Sequence, residues 1–269
     1  MKQEQILISV QHVSKSYQRE RGAIQVLRDC TFEVMKNEFL VIVGPTGCGK
    51  STLLNLIAGL DFPTSGSILL DGEPVTGPGA DRGMIFQEYA LLPWRTVLKN
   101  VELGFEFQNR EMDAGQRKAE AMRYLDMVGL GYAANKHPVE LSGGMKRRAS
   151  LAMILAIRPK ILLMDGAFNA LDSKTKMTMH QEITNIWASE KNTVVFVTSD
   201  LDEAVKLSDR IIVLGRNGEI DAVLRNELPR PRLGSAARDP EFHHRFVAFR
   251  ETVMNVIKQD AGLRTCRVA

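Results

Sequence analysis

The sequence predicts an α/β fold in which a mostly parallel sheet is covered by helices on both faces. One observation is "EFLVIVG", residues 38–44, a continuous apolar strand that leads through a glycine-rich turn into the helical pattern "KSTLLNLIAGL". A second is the C-terminal half of the chain, where apolar runs such as "KILLMD" and "TVVFVT" alternate with helical segments. Such alternation is typical of parallel sheets.

The N-terminal part of the chain is predicted to be β-rich with one helix. "ILISVQHVSKSY", residues 6–17, alternates apolar and polar residues like a half-buried strand. The helix after the glycine-rich turn closes on Gly59, and "SGSILLDGEPV" predicts two short strands around Asp71 and Gly72.

The middle of the chain, from about residue 88 to 158, has helical spacing and is predicted to be an inserted helical subdomain. Asp113 is a predicted N-cap and Gly129 a predicted helix stop. After "RIIVL" and "EIDAVL", the proline- and arginine-rich stretch 228–240 predicts a linker, and "EFHHRFVAFRETVMNVI" predicts an amphipathic helix. The predicted domains are therefore 1–227 and a linker with tail helix over 228–269.

Composition excludes few classes of function. The chain has 269 residues, is 44% apolar, and carries 35 lysines and arginines against 32 aspartates and glutamates, which is no argument for nucleic acid. Its apolar runs are too short to span a bilayer, and the N-terminus does not resemble a secretion signal. Three widely spaced cysteines without a CxxC pair argue against a disulfide framework or a zinc site. We therefore expect a protein of the cytoplasm, unless a partner holds it at a membrane.

The stretch "GPTGCGKS" fits the phosphate-loop pattern G-x-x-x-x-G-K-[ST] and lies between a strand and a helix, as that pattern requires. Its backbone N–H groups would surround phosphate oxygens, while Lys50 neutralises the β- and γ-phosphates and Ser51 helps to hold Mg²⁺. The alternative is a glycine-rich turn that serves packing alone. The predicted nucleotide-binding residues of this loop are Gly44, Pro45, Thr46, Gly47, Cys48, Gly49, Lys50, Ser51 and Thr52. By itself the loop would suit kinases, switch GTPases and motors equally.

The stretch "LSGGM", residues 141–145, stands directly before a helix and predicts a second anion site formed by Ser142, Gly143 and Gly144. One phosphate does not need two such sites from one chain. The economical arrangement is a head-to-tail dimer, in which these residues close over the γ-phosphate held by the other subunit. The alternative is an ordinary Ser-Gly-Gly helix cap.

With these motifs in order, residues 6–225 resemble the ATP-binding subunits of ABC transporters. "PGADRGMIFQEYALLPWRTVLKNV" and the tail beginning "LPRPR" resemble the importer branch for nitrate, sulfonates and taurine. The resemblance implies a P-loop NTPase core of the RecA-like type with a mixed, mainly parallel sheet, and ATP and Mg²⁺ as cofactors. It also implies a second ATP-binding subunit, transmembrane permease subunits and, indirectly, a solute-binding protein as partners, with no nucleic acid. The chain would lie on the cytoplasmic face of the membrane.

The resemblance also implies roles for single residues. Tyr17 would stack on adenine, Gln87 would contact Mg²⁺ and the water beside the γ-phosphate, and Asp165 would hold Mg²⁺ through water. Asp172 would belong to the loop that crosses the dimer interface.

The loop "EYALLPW" that follows Gln87 has two interpretations. Its apolar side chains are predicted to form a socket for a helix of a membrane subunit, or else to belong to the core of the helical subdomain. These side chains are Leu91, Leu92 and Trp94.

Two positions depart from the family pattern. Gly166 stands where a glutamate normally orients the attacking water, with Ala167 in place of the usual proline, and Ser199 stands where a histidine normally contacts the γ-phosphate. Glycine offers no proton acceptor, so we predict impaired hydrolysis in the chain's own site, although drift without consequence is the alternative. The sequence gives no reason to place Glu88 or Asp200 there as a substitute.

Binding should survive these changes, and several hypotheses about partners stay open. One is a transporter subunit in a homodimer, and another is an asymmetric dimer in which the intact "LSGGM" completes a competent partner's site. A catalytically weak regulatory or structural subunit is a further alternative, and a DNA-repair protein of the same superfamily is the remotest.

Overall fold

The computed structural model describes residues 5–20, 22–86, 90–106, 112–168, 172–190, 192–234 and 239–262. The chain divides into two compact units, one formed by Met1–Pro78 with Thr193–Ala269 and the other by Gly79–Asn192. No helix in the described ranges has both the length and the apolar character that a membrane span needs.

The first unit contains an antiparallel sheet with the strand order β2-β1-β4-β5. Its strands are β1 (Ile6–Arg19), β2 (Gly22–Met35), β4 (Ser65–Leu70) and β5 (Glu73–Pro74). The turn predicted between β4 and β5 is confirmed, since Asp71 and Gly72 both have positive φ, 50° and 85°. Strand β2 was not predicted from the sequence, because its first five residues are exposed or half-buried and show no apolar alternation.

The same unit contains strands β10-β9-β3-β8, in that order. They are β3 (Phe39–Val43), β8 (Thr193–Val197), β9 (Arg210–Leu214) and β10 (Ile220–Arg225). The central strand β3 is buried throughout and runs parallel to both β8 and β9. Its carboxyl end leads into helix α1 (Lys50–Ala58), which ends at Gly59 as predicted. The predicted parallel sheet and this strand-turn-helix unit are confirmed.

The C-terminal segment is anchored in the first unit through helices α6 (Leu201–Leu207) and α7 (Pro240–Gly262). The buried Asn226 side chain donates to the carbonyl oxygens of Val205 and Ser208, at 2.8 and 3.1 Å. Arg230 bonds to Asp209 at 2.7 Å. Within the described part of the predicted linker, Arg230 is thus held by a partly buried bond to Asp209, directly after the buried Asn226. The proposed domain boundaries stay a prediction.

The second unit combines two parallel strands with a group of helices. The strands are β6 (Arg82–Ile85) and β7 (Ile161–Asp165), and the helices are α2 (Val97–Glu106), α3 (Ala114–Met127), α4 (Gly143–Ala156) and α5 (Ser173–Glu190). Asp113 caps α3 in a capping box with Gln116, and Gly129 has φ +66°, so both predicted helix boundaries are confirmed. Helices α2, α3 and α4 pack together around Phe105 and Tyr124.

Candidate functional site

The phosphate loop of the first unit is shaped by glycines that cannot be replaced without moving the backbone. Gly49 has φ +105°, and a Cβ there would lie 2.8 Å from the Leu27 side chain and 3.0 Å from that of Val26. A Cβ on Gly44 would collide with the carbonyl oxygen of Leu214 on β9. The loop therefore passes close to its neighbours, and its conformation follows from the absence of side chains.

Helix α1 begins directly after this loop with no side chain capping it and no acidic residue in its first turn. The first N–H groups of a helix have no intrahelical acceptor, and the helix dipole adds positive potential there. Pro45 is half-buried and Thr46 and Gly47 are exposed, as is Ser51 on the first turn, while Thr52 is half-buried. This arrangement fits a phosphate group with a bound cation beside it.

Lys50 folds over the loop, and its Nζ donates to the carbonyl oxygens of Gly44 and Pro45 at 2.9 and 2.8 Å. The buried Cys48 Sγ lies 3.8 Å from the same ammonium group. Burial raises the pKa of the Cys48 thiol, although Lys50 opposes the shift. The thiol is thus a packing group in the loop rather than a reactive thiolate.

Tyr17 lies on β1 in the same unit, and the residue is 38% exposed. The hydroxyl donates to Asp61 Oδ2 at 2.7 Å, and a hydrogen bond also links it to Thr52 of α1. Burial and the Asp61 carboxylate raise the pKa of Tyr17. Lys15 bonds to Asp61 at 2.6 Å, with its ammonium group 4.8 Å from the centre of the tyrosine ring. The tyrosine is therefore fixed by its hydroxyl beside the phosphate-loop helix, with part of its surface open.

Ser199 is exposed in the turn between β8 and α6. Its neighbours hold this turn, because the Thr198 hydroxyl donates to the buried Glu203 carboxylate at 2.6 Å and accepts from the Asp200 N–H at 3.0 Å. The Asp200 carboxylate accepts from the N–H groups of Asp202 and Glu203, at 3.0 and 3.3 Å. Asp200 thus serves as a helix cap, which weakens the case for it as a substitute base.

In the second unit, β7 ends at Asp165, which is half-buried, and the chain turns at Gly166 with φ +52°. This left-handed conformation costs an L-residue about 1 kcal/mol or more, and a residue before proline is held in the extended region instead. Ala167 and Phe168 are fully buried, and the Phe168 ring meets His180 edge to face at 4.9 Å. Position 166 therefore lacks both the carboxylate and the backbone conformation that a Glu-Pro pair would impose.

The "LSGGM" segment forms the N-terminus of α4, where Ser142 and Gly143 are exposed. The Ser142 hydroxyl accepts from the Met145 N–H at 3.3 Å, so the serine caps the helix. A Cβ on Gly144 would lie 2.8 Å from Thr175 Cγ2 on α5, so this glycine permits the close packing of α4 and α5.

Asp172 precedes α5 and is tied to the same threonine. Its Oδ2 accepts from the Thr175 hydroxyl at 2.6 Å, and Oδ1 accepts from the Thr175 N–H at 3.0 Å. The Thr175 hydroxyl is the main reason that the pKa of Asp172 lies below its ordinary value. The structure thus brings Asp172 and the "LSGGM" helix together through Thr175, which the sequence analysis missed. The Asp-x-x-Thr spacing, typical of a helix cap, was the available signal.

Gln87 and Glu88 lie outside the described residues. In the apolar loop beyond them, Leu91 and Leu92 are half-buried and Trp94 is 72% exposed. The fully buried Asn100 holds this loop, because its amide accepts from the Leu92 N–H at 2.7 Å and donates to the Thr96 carbonyl oxygen at 2.9 Å. The choice between a socket for a membrane subunit and a packing role stays a prediction.

Comparison with known proteins decides the family. The ABC transporter family model matches residues 27–169. The chain is 44% identical over 242 residues to the nitrate import ATP-binding protein NrtD of Synechocystis sp., across 87% of this chain and 90% of that protein. The chain belongs to the ABC transporter family. It is also 40% identical over 262 residues to the bicarbonate transport ATP-binding protein CmpC of Synechococcus elongatus, covering 96% of this chain and 39% of that longer protein.

A solved ABC cassette supports the same assignment. The dimeric structure of a post-hydrolysis state of an ATP-binding cassette, bound to ADP and Pi, matches with a TM-score of 0.75 at 34% identity. The match covers 82% of this chain and 99% of that one. The predicted fold class and family are therefore confirmed, and the cofactors of this ABC family member are ATP and Mg²⁺.

Within the first unit of the ABC chain, Tyr17 and the phosphate loop are neighbours through Thr52, and within the second, Asp172 and Gly144 meet at Thr175. Asp61 is the other site residue that was not predicted from the sequence. No local sequence pattern indicates its hydrogen bond to a tyrosine forty-four positions away. The assignment of nucleotide and metal roles to single residues stays a prediction.

Proposed function

We propose that this chain is the ATP-binding subunit that powers or gates an ABC importer of nitrate, sulfonates, taurine or similar compounds. ATP would act by closing a dimer of two such subunits beneath the membrane permease. The similarity to a nitrate import subunit over most of both chains supports the class of transporter. The chain itself would lie peripherally on the cytoplasmic face, with a solute-binding protein as an indirect partner.

The observation that carries the nucleotide-binding part is the uncapped start of α1 beneath the ammonium group of Lys50. The first N–H groups of the helix would bind phosphate oxygens, and Lys50 would leave its two carbonyl partners for the β- and γ-phosphates. Mg²⁺, when bound, neutralises phosphate charge, and Ser51, Gln87 and Asp165 are the residues proposed to hold it. Tyr17 would stack on the adenine.

Hydrolysis in the chain's own site is proposed to be slow. Gly166 offers no oxygen to orient or deprotonate water, and the turn there is left-handed. Ser199 has a shorter reach than histidine and carries no charge. A positioned general base contributes about 10²- to 10⁴-fold, so turnover should fall by a factor in that range.

The first experiment measures nucleotide binding and self-association of the purified chain. Equilibrium dialysis should show ATP binding with Mg²⁺, and analytical ultracentrifugation should show a dimer that persists with ATP and dissociates with ADP. Lys50→Ala should weaken ATP binding about 10- to 100-fold and correspondingly reduce the ATP-dependent dimer. A chain that binds no ATP would contradict the proposal, and a dimer that decays within seconds of adding ATP would contradict slow hydrolysis.

A second candidate function is that of a half-site subunit, which completes the site of a competent partner without using its own. The observation favouring it is the contrast inside the second unit, where Ser142 still caps α4 and Gly144 still packs against Thr175, while position 166 has lost its carboxylate. Drift would be expected to affect both segments.

Complementation distinguishes the two candidates. A repaired chain with Gly166→Glu, Ala167→Pro and Ser199→His serves as the positive control, and a copy of it that also carries Gly144→Asp should be inactive alone. Mixing this copy with the natural chain should restore ATP hydrolysis, because the natural "LSGGM" closes the repaired site. Natural chain that carries Gly144→Asp is the matched control and should restore nothing. Activity in the positive control without complementation would eliminate the half-site function.

A further inference from the structure

Beside the tail helix α7, far along the chain from every nucleotide motif, the first unit contains an open, solvent-accessible cavity of about 320 Å³. It lies beside the end of β10 and the segment that follows. Arg225, Glu227, Leu228, Arg245 and Phe249 are among the residues that line it. Leu228 is buried and Phe249 half-buried, so the cavity has an apolar wall beside its charged groups.

The walls of this cavity are fixed by the packing of the tail. Phe242, Phe246 and Val253 of α7 are buried, and Arg250 bonds to Asp202 of α6 at 2.7 Å. On the other side, β10 is paired with β9 along its length. The cavity is thus built from ordered elements of one unit.

The charges around the cavity favour an anion. Among the described residues, no carboxylate lies within ion-pair distance of Arg225 or Arg245. The Arg245 guanidinium makes a long bond, 3.5 Å, to the Glu227 carbonyl oxygen. Arg225 and Arg245 are both exposed residues. Glu227 contributes one opposing charge, which leaves the lining with a net positive charge.

A third arginine, buried beside the cavity lining, adds to the positive charge near the cavity. Arg232 is buried, at 4% exposure, and its guanidinium donates to the carbonyl oxygen of Leu228, a cavity residue, at 2.7 and 2.9 Å. Its partners in the described structure are carbonyl oxygens. Burial, together with the charge of Arg230, lowers the pKa of Arg232 to about 10. Asp209, the carboxylate that opposes this shift, is already paired with Arg230, so a further anion nearby would stabilise the buried cation.

We propose that this cavity is a binding site for a small organic carboxylate. Arg225 and Arg245 would bind the carboxylate through charge-assisted, forked hydrogen bonds, for which guanidinium geometry is suited. The apolar part of the ligand would lie against Leu228 and Phe249. A volume of about 320 Å³ accommodates a ligand of the size of a substituted benzoate, at the lower end of the range for small-molecule sites.

Calorimetric titration of the full chain with benzoate tests the site. We expect saturable binding at one site with a dissociation constant of about 1 mM or lower. Acetate, which has the charge without the ring, and benzyl alcohol, which has the ring without the charge, should each bind at least about tenfold more weakly.

Variants separate this site from other anion sites. Arg225→Gln and Arg245→Gln should each weaken benzoate binding about tenfold, whereas Lys258→Gln, an exposed lysine elsewhere on α7, should leave it unchanged. Lys50→Ala should also leave it unchanged, because the phosphate loop is not involved. The proposal is overturned by an absence of saturable binding, by equal binding in the two arginine variants and Lys258→Gln, or by loss of binding in Lys50→Ala.

Discussion

The phosphate loop after β3 and the turn after β7 are both glycine-dependent bends at the carboxyl end of a buried strand, yet they differ in what has been kept. In the proposed function, phosphate binding in the loop uses backbone N–H groups and Lys50, and the structure has both Gly49 and Lys50 in place. Hydrolysis is proposed to depend on one carboxylate after β7, where Gly166 has none. Phosphate binding by several backbone N–H groups tolerates single substitutions better than catalysis that depends on one side chain.

The prediction with the largest expected effect concerns ATP hydrolysis, and it tests whether the turn after β7 alone accounts for the proposed loss of activity. Gly166→Glu, Ala167→Pro and Ser199→His together should raise steady-state ATP turnover about 10²- to 10⁴-fold, because they restore a base and the extended backbone that presents it. Gly166→Glu alone should recover a smaller part, since the turn at φ +52° directs the new side chain differently. If natural chain already turns over as fast as the triple variant, another group positions the water.

A smaller effect tests the claim that binding resides in the phosphate loop. Lys50→Ala should weaken ATP binding about 10- to 100-fold, as expected for the loss of hydrogen bonds from a charged group. Gly166→Ala should leave ATP affinity within about twofold, because the residue at 166 contributes no phosphate contact in this proposal. Fluorescence titration with a labelled ATP analogue measures both. An equal loss of ATP affinity in the two variants would contradict the claim that ATP binding depends on the phosphate loop and not on position 166.

The free energy of unfolding tests whether both turns, the phosphate loop and the turn after β7, depend on a glycine in the left-handed conformation. Gly47→Ala, at φ +81°, and Gly166→Ala, at φ +52°, should each lower the free energy of unfolding by about 1 kcal/mol. Gly77→Ala is the matched control, because a Cβ there meets open space and its φ is not left-handed, so it should be neutral or slightly stabilising. Urea unfolding followed by circular dichroism gives all three values. A neutral Gly166→Ala would mean that the turn relaxes freely.

The smallest expected effect concerns the contact that joins Asp172 to the "LSGGM" helix. Thr175→Val should raise the pKa of Asp172 toward its ordinary value, whereas Thr175→Ser keeps the hydroxyl and should preserve the low pKa. A depressed carboxyl pKa contributes stability above the unfolded value of 3.8, and this contribution is lost as pH falls through the folded value. The stability difference between natural chain and Thr175→Val should therefore shrink in acid. NMR titration of the Asp172 carboxyl follows the pKa directly, and an identical titration in both variants would show that the hydroxyl is not the cause.

The sequence by itself determined the family, most elements and the altered positions. Local sequence signals were enough for features that depend on neighbouring residues, namely the glycine-rich turn between strand and helix, the N-cap at Asp113 and the helix stop at Gly129. The absence of a carboxylate at position 166 needs no structure at all.

Only the tertiary structure decided which distant groups support these motifs. Asp61 holds Tyr17, Thr175 of α5 packs against Gly144 of α4, and Asn226 fastens the tail to α6, and in each case the partner lies far away in the sequence. The conformation of Gly166 belongs here too, because sequence shows which residue is present but not the φ that its neighbours impose. The spacing of apolar residues and short sequence motifs reflect local conformational preferences of the backbone. Contacts between distant side chains depend instead on packing between segments that come together only when the chain folds.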